Sequence, residues 1–157
     1  MKTKGIKLTE EILDAALYGG TILGGGGGGD AKKGRKYAKL AVEYADLRLL
    51  SAEDLDDNDM VLTASLVGAP NAENQFMTPA DLVKTFVLLQ RNCDFPVAGI
   101  ITNEQGGEAT VNGWLQAAVL GLPLVHPGDR KGSHNDEIYY QCRRRLRGPL
   151  PQHGQRK

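Results

Sequence analysis

Six consecutive glycines, Gly24 to Gly29, closed by Asp30, are the residues whose type and spacing most directly suggest chemistry in this chain. A backbone without Cβ can take φ > 0 and approach a ligand closely, at a cost in chain entropy on folding. Backbone N–H groups of Gly25, Gly26, Gly27 and Gly28 could converge with the positive end of a helix capped by Asp30. Such a loop would cradle an anion or a small polar ligand. A flexible link with no ligand is the competing reading. The run is not a P-loop, because no Gly-Lys-Ser/Thr closes it. Nor is it a dinucleotide fingerprint, because no run of β-branched residues precedes it.

Other reactive residue types give weaker signals. Lys32, Lys33, Arg35, Lys36 and Lys39 fall in the first turns after Asp30, where positive charge opposes the helix dipole. An anionic group bound nearby would explain them, and so would a solvated basic face. Glu53, Asp54, Asp56, Asp57 and Asp59 form an acidic turn without the glycine and terminal glutamate of a calcium loop. His126, His134 and His153 match no common metal-ligand spacing. Cys93 and Cys142 form no CxxC pair and read as reduced thiols of a cytoplasmic protein. Arg143–Arg147 could bind nucleic acid or a membrane surface, but without an aromatic stacking platform or a partner motif a poorly ordered extension is the expected reading.

These residues must be positioned by regular elements. Thr9 is an N-cap signal, and Ile12, Leu13, Ala16 and Leu17 repeat at helical spacing until Gly19-Gly20. A second helix is expected from Asp30 to about Ala45. Leu47–Leu50 reads as a short strand, and the apolar run from Met60 to Val67 as one buried on both faces. Thr78-Pro79 is a strong helix start, with a helix to about Asn92. Pro96–Thr102 is the next buried strand, Ala109–Leu120 a further helix ended by Gly121, and Leu122–Val125 a last strand. The expected fold is α/β, a layered sandwich with a largely parallel central sheet and flanking helices. An irregular basic C-terminal tail follows. Right-handed crossovers would gather the loops after the strands, Gly68–Pro70 and Asn103–Gly107, along one rim where ligands bind.

Length and composition bound the rest. The 157 residues are enough for one domain with a buried core. Glycine, at 20 residues, is well above its usual ~7%. The formal net charge of zero conceals a split. From Asp129 onward there are eight Lys/Arg and three Asp/Glu, leaving eleven basic and sixteen acidic residues before it. No apolar run approaches the ~18 residues that cross a bilayer, and no signal-peptide core follows the basic start. A cytoplasmic protein without membrane partners is expected, and a homo-oligomer is left open.

Four blocks, taken in order, resemble one family. Leu17-Tyr-Gly-Gly-Thr-Ile-Leu followed by the glycine run and Asp30 looks like the opening motif of the S-methyl thiohydantoin desulfurase family. That family, long a domain of unknown function, is associated with hydantoinase/oxoprolinase-type genes. Asp59-Met-Val-Leu-Thr-Ala-Ser-Leu-Val-Gly-Ala-Pro resembles its second block, Asn103-Glu-Gln-Gly-Gly its third, and Ala117-Ala-Val-Leu-Gly-Leu-Pro-Leu-Val its fourth. The likeness covers residues 8–125, so residues 1–125 are expected to form the family's N-terminal domain. Residues 126–157 are expected to be a non-matching tail.

The resemblance implies a hydrolase that attacks a thiohydantoin-type ring carbon and releases a thiol, with a zinc ion in the full-length family. It implies a small polar or heterocyclic substrate. The residues carried over are Gly24–Asp30, then Gly68, Ala69 and Pro70, then Asn103, Glu104, Gly106 and Gly107. Glu104, just past a buried strand, is the candidate for proton transfer or for orienting a ligand. The alternative for its carboxylate is simple pairing with nearby N–H groups or water. No convincing Cys/His zinc set is seen. Family members are more than twice this length, and where they continue with Asp and a Gly-Arg-Ala-type segment this chain has His126 and no such block. A truncated or frame-shifted copy, inactive alone, is therefore expected. The alternative is a stand-alone anion-binding module built on the glycine loop.

Overall fold

A two-residue strand, β1 (Ile6–Lys7), is the first element and pairs antiparallel with β2 (Arg48–Ser51). The computed structural model describes residues 5–68, 73 and 76–126. Too short to show a period, β1 has no signal in the sequence. Between these strands lies a helical hairpin. The Thr9 hydroxyl accepts from the Ile12 N–H at 3.3 Å and starts α1, Glu10–Leu23. The Asp30 carboxylate accepts from the Lys32 N–H at 2.9 Å and starts α2, Ala31–Tyr44.

Helix α1 does not stop at Gly19-Gly20 as its sequence suggests. It runs on to Leu23, with Thr21 Oγ1 donating to the Leu17 carbonyl at 2.7 Å. Two glycines cost a free helix about 2 kcal/mol, so tertiary packing must hold this turn together. The packing is visible at Gly20, where an added Cβ would lie 2.8 Å from the Gly106 carbonyl oxygen and would also strike the Thr110 hydroxyl. The expected end moved because Gly20 is a contact surface.

After a 3₁₀ turn, Ala52–Asp54, come β3 (Met60–Ala64), α3 (Pro79–Arg91), β4 (Val97–Thr102), a second 3₁₀ turn (Ala109–Val111), α4 (Trp114–Leu120) and β5 (Leu124–His126). Helix α3 begins with a full capping box. Thr78 Oγ1 accepts from the Asp81 N–H, and the Asp81 carboxylate accepts from the Thr78 N–H. The sheet order is β1-β2-β5-β4-β3, parallel throughout except for β1. This is the α/β fold with flanking helices that the sequence implies.

Successive residues of the central strands are buried on opposite faces, as the pleat requires. Leu62, Ile100 and Leu124 join the main core with Leu13, Phe86 and Trp114. Val61, Ile101 and Val125 form a second cluster, packed by Ala52 and Leu55. The helix expected over Ala109–Leu120 is broken at Asn112-Gly113. Gly113 has φ 89°, and a Cβ there would lie 2.6 Å from Ile100 Cγ2 and 3.0 Å from Ala64 Cβ. The break lets bare backbone settle onto β3 and β4, which a continuous helix could not do. Among the described residues no helix is long and apolar enough to cross a membrane.

Candidate functional site

The glycine run is folded onto the turn that follows β4. Gly24 and Gly25 close α1, their N–H groups donating to the carbonyls of Gly20 at 2.8 Å and Ile22 at 3.1 Å. Gly25 has φ 57°, the left-handed geometry that ends many helices. Gly27 N–H donates back to the Gly24 carbonyl at 2.8 Å. The Gly28 carbonyl then accepts two N–H groups, from Glu108 at 2.7 Å and Ala109 at 2.8 Å. The Gly27 carbonyl accepts from the Gly107 N–H at 3.4 Å. Where the loop meets the turn it therefore presents carbonyl oxygens, not the converging N–H groups of an anion cradle.

Close approach explains why glycine recurs on both sides. A Cβ on Gly24 would lie 2.8 Å from Gly106 Cα, and one on Gly107 would lie 2.5 Å from the Gly29 carbonyl oxygen. Gly25 and Gly26 face open space instead.

The structure thus brings Gly24, Gly27, Gly28 and Gly29 together with Gly106 and Gly107, with Asp30 next in the chain as the cap of α2. Gly106 and Gly107 are buried, while Asn103 and Glu104 are exposed at the outer side of the same turn. The Glu104 backbone carbonyl accepts from Thr102 Oγ1 at 3.3 Å. Gly68, at the end of the segment after β3, is exposed with no atom within 4 Å of its Cβ position. Ala69 and Pro70 lie outside the described residues. Two of the three expected bends meet; of the third, only Gly68 is among the described residues.

Arg35 and Lys39 of α2 have partners on α1. Arg35 donates to Asp14 Oδ1 at 2.8 Å and to Glu10 Oε1 at 3.0 Å, and Lys39 Nζ reaches Glu10 Oε1 at 3.0 Å. Hydrogen bonds from Lys39, then from Arg35, hold the Glu10 carboxyl below its ordinary range. The same pairs raise Arg35, through Asp14 and then Glu10, and raise Lys39 through Glu10. The charges of Arg35 and Lys39 are thus offset by carboxylates of α1.

Lys33 points the other way, to a residue that the sequence did not single out. Its Nζ lies 3.5 Å from Glu108 Oε1, and the Glu108 side chain is only 10% exposed. That buried Oε1 has no hydrogen-bond partner. The Glu108 side chain packs against Gly29, where an added Cβ would sit 2.8 Å from Glu108 Cβ and 3.1 Å from Oε2. The start of α2 therefore has a carboxylate of the chain itself beside it.

Glu108, Asn112 and Gln116 are the buried polar side chains among the described residues, at 7%, 8% and 8% exposure. All three line one small cleft with Tyr37, Leu66 and Leu82. Its volume, about 10 Å³, is room for about one water molecule. A signal for this row did exist. Glu108, Asn112 and Gln116 recur every four residues through a stretch that is otherwise apolar (Val111, Trp114, Leu115, Ala118), which marks a polar stripe turned inward.

Zinc does not fit this site. Among the described residues no three of His, Cys, Asp or Glu stand close enough to hold a metal ion.

Residues 11–131 match the family model described as S-Me-THD-like, N-terminal domain. The chain belongs to this family, as its four sequence blocks imply. No curated protein and no solved structure matches it.

Proposed function

We propose that this chain is the N-terminal portion of a hydrolase acting on S-methyl thiohydantoin-type rings, and that it needs a further domain for turnover. The observation that carries this reading is the family match over residues 11–131. The overall reaction replaces the ring C–S bond with C–O. Water adds to the ring carbon, the thiol departs with a proton, and the ring carbonyl is left behind. It needs a water made nucleophilic at neutral pH and an acid for the departing sulfur.

Within this reading Gly24–Asp30 and Gly106–Gly107 form the scaffold of the substrate rim. Glu104, exposed beside that scaffold, is the candidate to move a proton once another domain covers it. The anion-binding alternative has less behind it. The N–H groups of Gly24, Gly25 and Gly27 already donate within the chain, and Glu108 brings negative charge to Gly29.

The test is thiol release from an S-methyl thiohydantoin, comparing the purified chain with a full-length family member. Release by the full-length protein, and none by this chain, is expected. A comparable rate from this chain alone would overturn the requirement for a further domain. A full-length member that releases no thiol would overturn the assigned reaction. For the alternative, a phosphate titration that shifts the glycine-loop amide signals would revive it.

A further inference from the structure

We infer that the cleft between α2 and α4 holds a single water molecule, bonded to Glu108 Oε1, as a fixed part of the fold. Glu108 is more than nine-tenths buried, and its Oε1 has no hydrogen-bond partner in the protein. The Lys33 ammonium, 3.5 Å away, stands outside the range of about 2.7–2.9 Å for a charge-assisted bond. A carboxylate oxygen buried in that state is costly. Glu108 also lines the cleft, whose volume of about 10 Å³ is close to the least that one water needs. Asn112 and Gln116, both buried, line it too, and their carboxamides bring donors and acceptors to the same walls.

The charges select water over an ion of similar size. Chloride would meet the Glu108 carboxylate, and a small cation would meet the Lys33 ammonium. Water carries no charge and can donate to an oxygen that only accepts. Cavities that stay dry are apolar ones, and a carboxylate in the wall removes that option. So placed, the water joins the turn that carries Glu108 to the cleft walls of α2 (Gly34, Tyr37) and α4 (Gln116). It moors the helical hairpin a second time, besides the bonds to the Gly28 carbonyl. One water offsets part of the cost of burying a carboxylate, not all of it. The inference goes beyond the functional reading and does not rest on it.

The experiment is oxygen-17 relaxation dispersion on the full chain, which counts waters that exchange slowly with solvent and is blind to labile protons. Glu108→Met, which keeps the bulk of the side chain but neither oxygen, is expected to hold one such water fewer than the wild-type chain. Glu108→Gln, which keeps an acceptor oxygen, is expected to hold the same number as the wild type. Equal counts for the wild-type chain and Glu108→Met would overturn the site. The same loss in both variants would overturn the bond to an acceptor oxygen as what holds the water. A crystal structure of the wild-type chain decides the matter even if Glu108→Met does not fold. One solvent peak at hydrogen-bond distance from Glu108 Oε1 is expected there. A dry cleft, or the Lys33 ammonium bonded to Oε1 in place of solvent, would overturn the inference.

Discussion

Gly28 and Gly106 stand face to face, so close that a methyl group on Gly28 would lie 2.5 Å from Gly106 Cα. That contact, with the two N–H groups given to the Gly28 carbonyl, clamps the helical hairpin onto the turn after β4. Gly28→Ala should therefore destabilise the fold by about 2–4 kcal/mol, from overpacking and from its φ of 74°. Gly26 has φ 90° but open space around it, and Gly26→Ala should cost only about 1–2 kcal/mol. Urea melts of the two variants check this. Equal losses would mean that the glycine run is strained but not clamped.

A second expectation concerns Glu108. Its carboxylate is buried with one oxygen lacking a hydrogen bond, which is an energetic cost. Glu108→Gln should raise stability by about 1 kcal/mol, measured by chemical denaturation near neutral pH. A clear loss of stability would show that the contact with Lys33 outweighs desolvation.

The carboxyls of Glu10, Asp46 and Asp81 are all held below their ordinary range. Lys39 is the leading cause for Glu10, Lys7 for Asp46, and the Thr78 side chain for Asp81. A lowered folded-state pKa gives stability that is present above the unfolded value, about pH 4, and is lost as pH falls through the folded value. The melting temperature should therefore fall as the solution is taken below about pH 4. Glu10→Gln should flatten part of that fall, and added salt should do the same through screening. A melting temperature insensitive to acid would remove these pairs from the account.

Leu13 is fully buried in the main core. Leu13→Ala should cost about 2–5 kcal/mol, the spread depending on how far α1 can settle into the space. A smaller loss would mean that α1 moves freely over its neighbours.

What could be read from the sequence was local. Thr9, Asp30 and Thr78 cap their helices through contacts within three residues, so their types announce them. The apolar runs around Met60–Ala64 and Val97–Thr102 announce buried parallel strands. What could not be read was decided at a distance. Gly19-Gly20 resembles a helix end, yet α1 continues because Gly20 meets Gly106 and Thr110. Gly113 resembles a tolerated helix residue, yet it breaks the helix because Ile100 and Ala64 lie beneath it. Glu104 drew attention by its place after a strand, whereas burial falls on Glu108, four residues later.

The bond from the Glu108 N–H to the Gly28 carbonyl also bears on the order of assembly. The α1–α2 pair can form from near neighbours in sequence, but its mooring awaits most of the sheet. Such distant closure is slow, because chain freedom must be given up before the contact rewards it. On a ribosome, α1 and α2 would emerge as an unanchored hairpin and wait for the chain beyond β4 to fasten them.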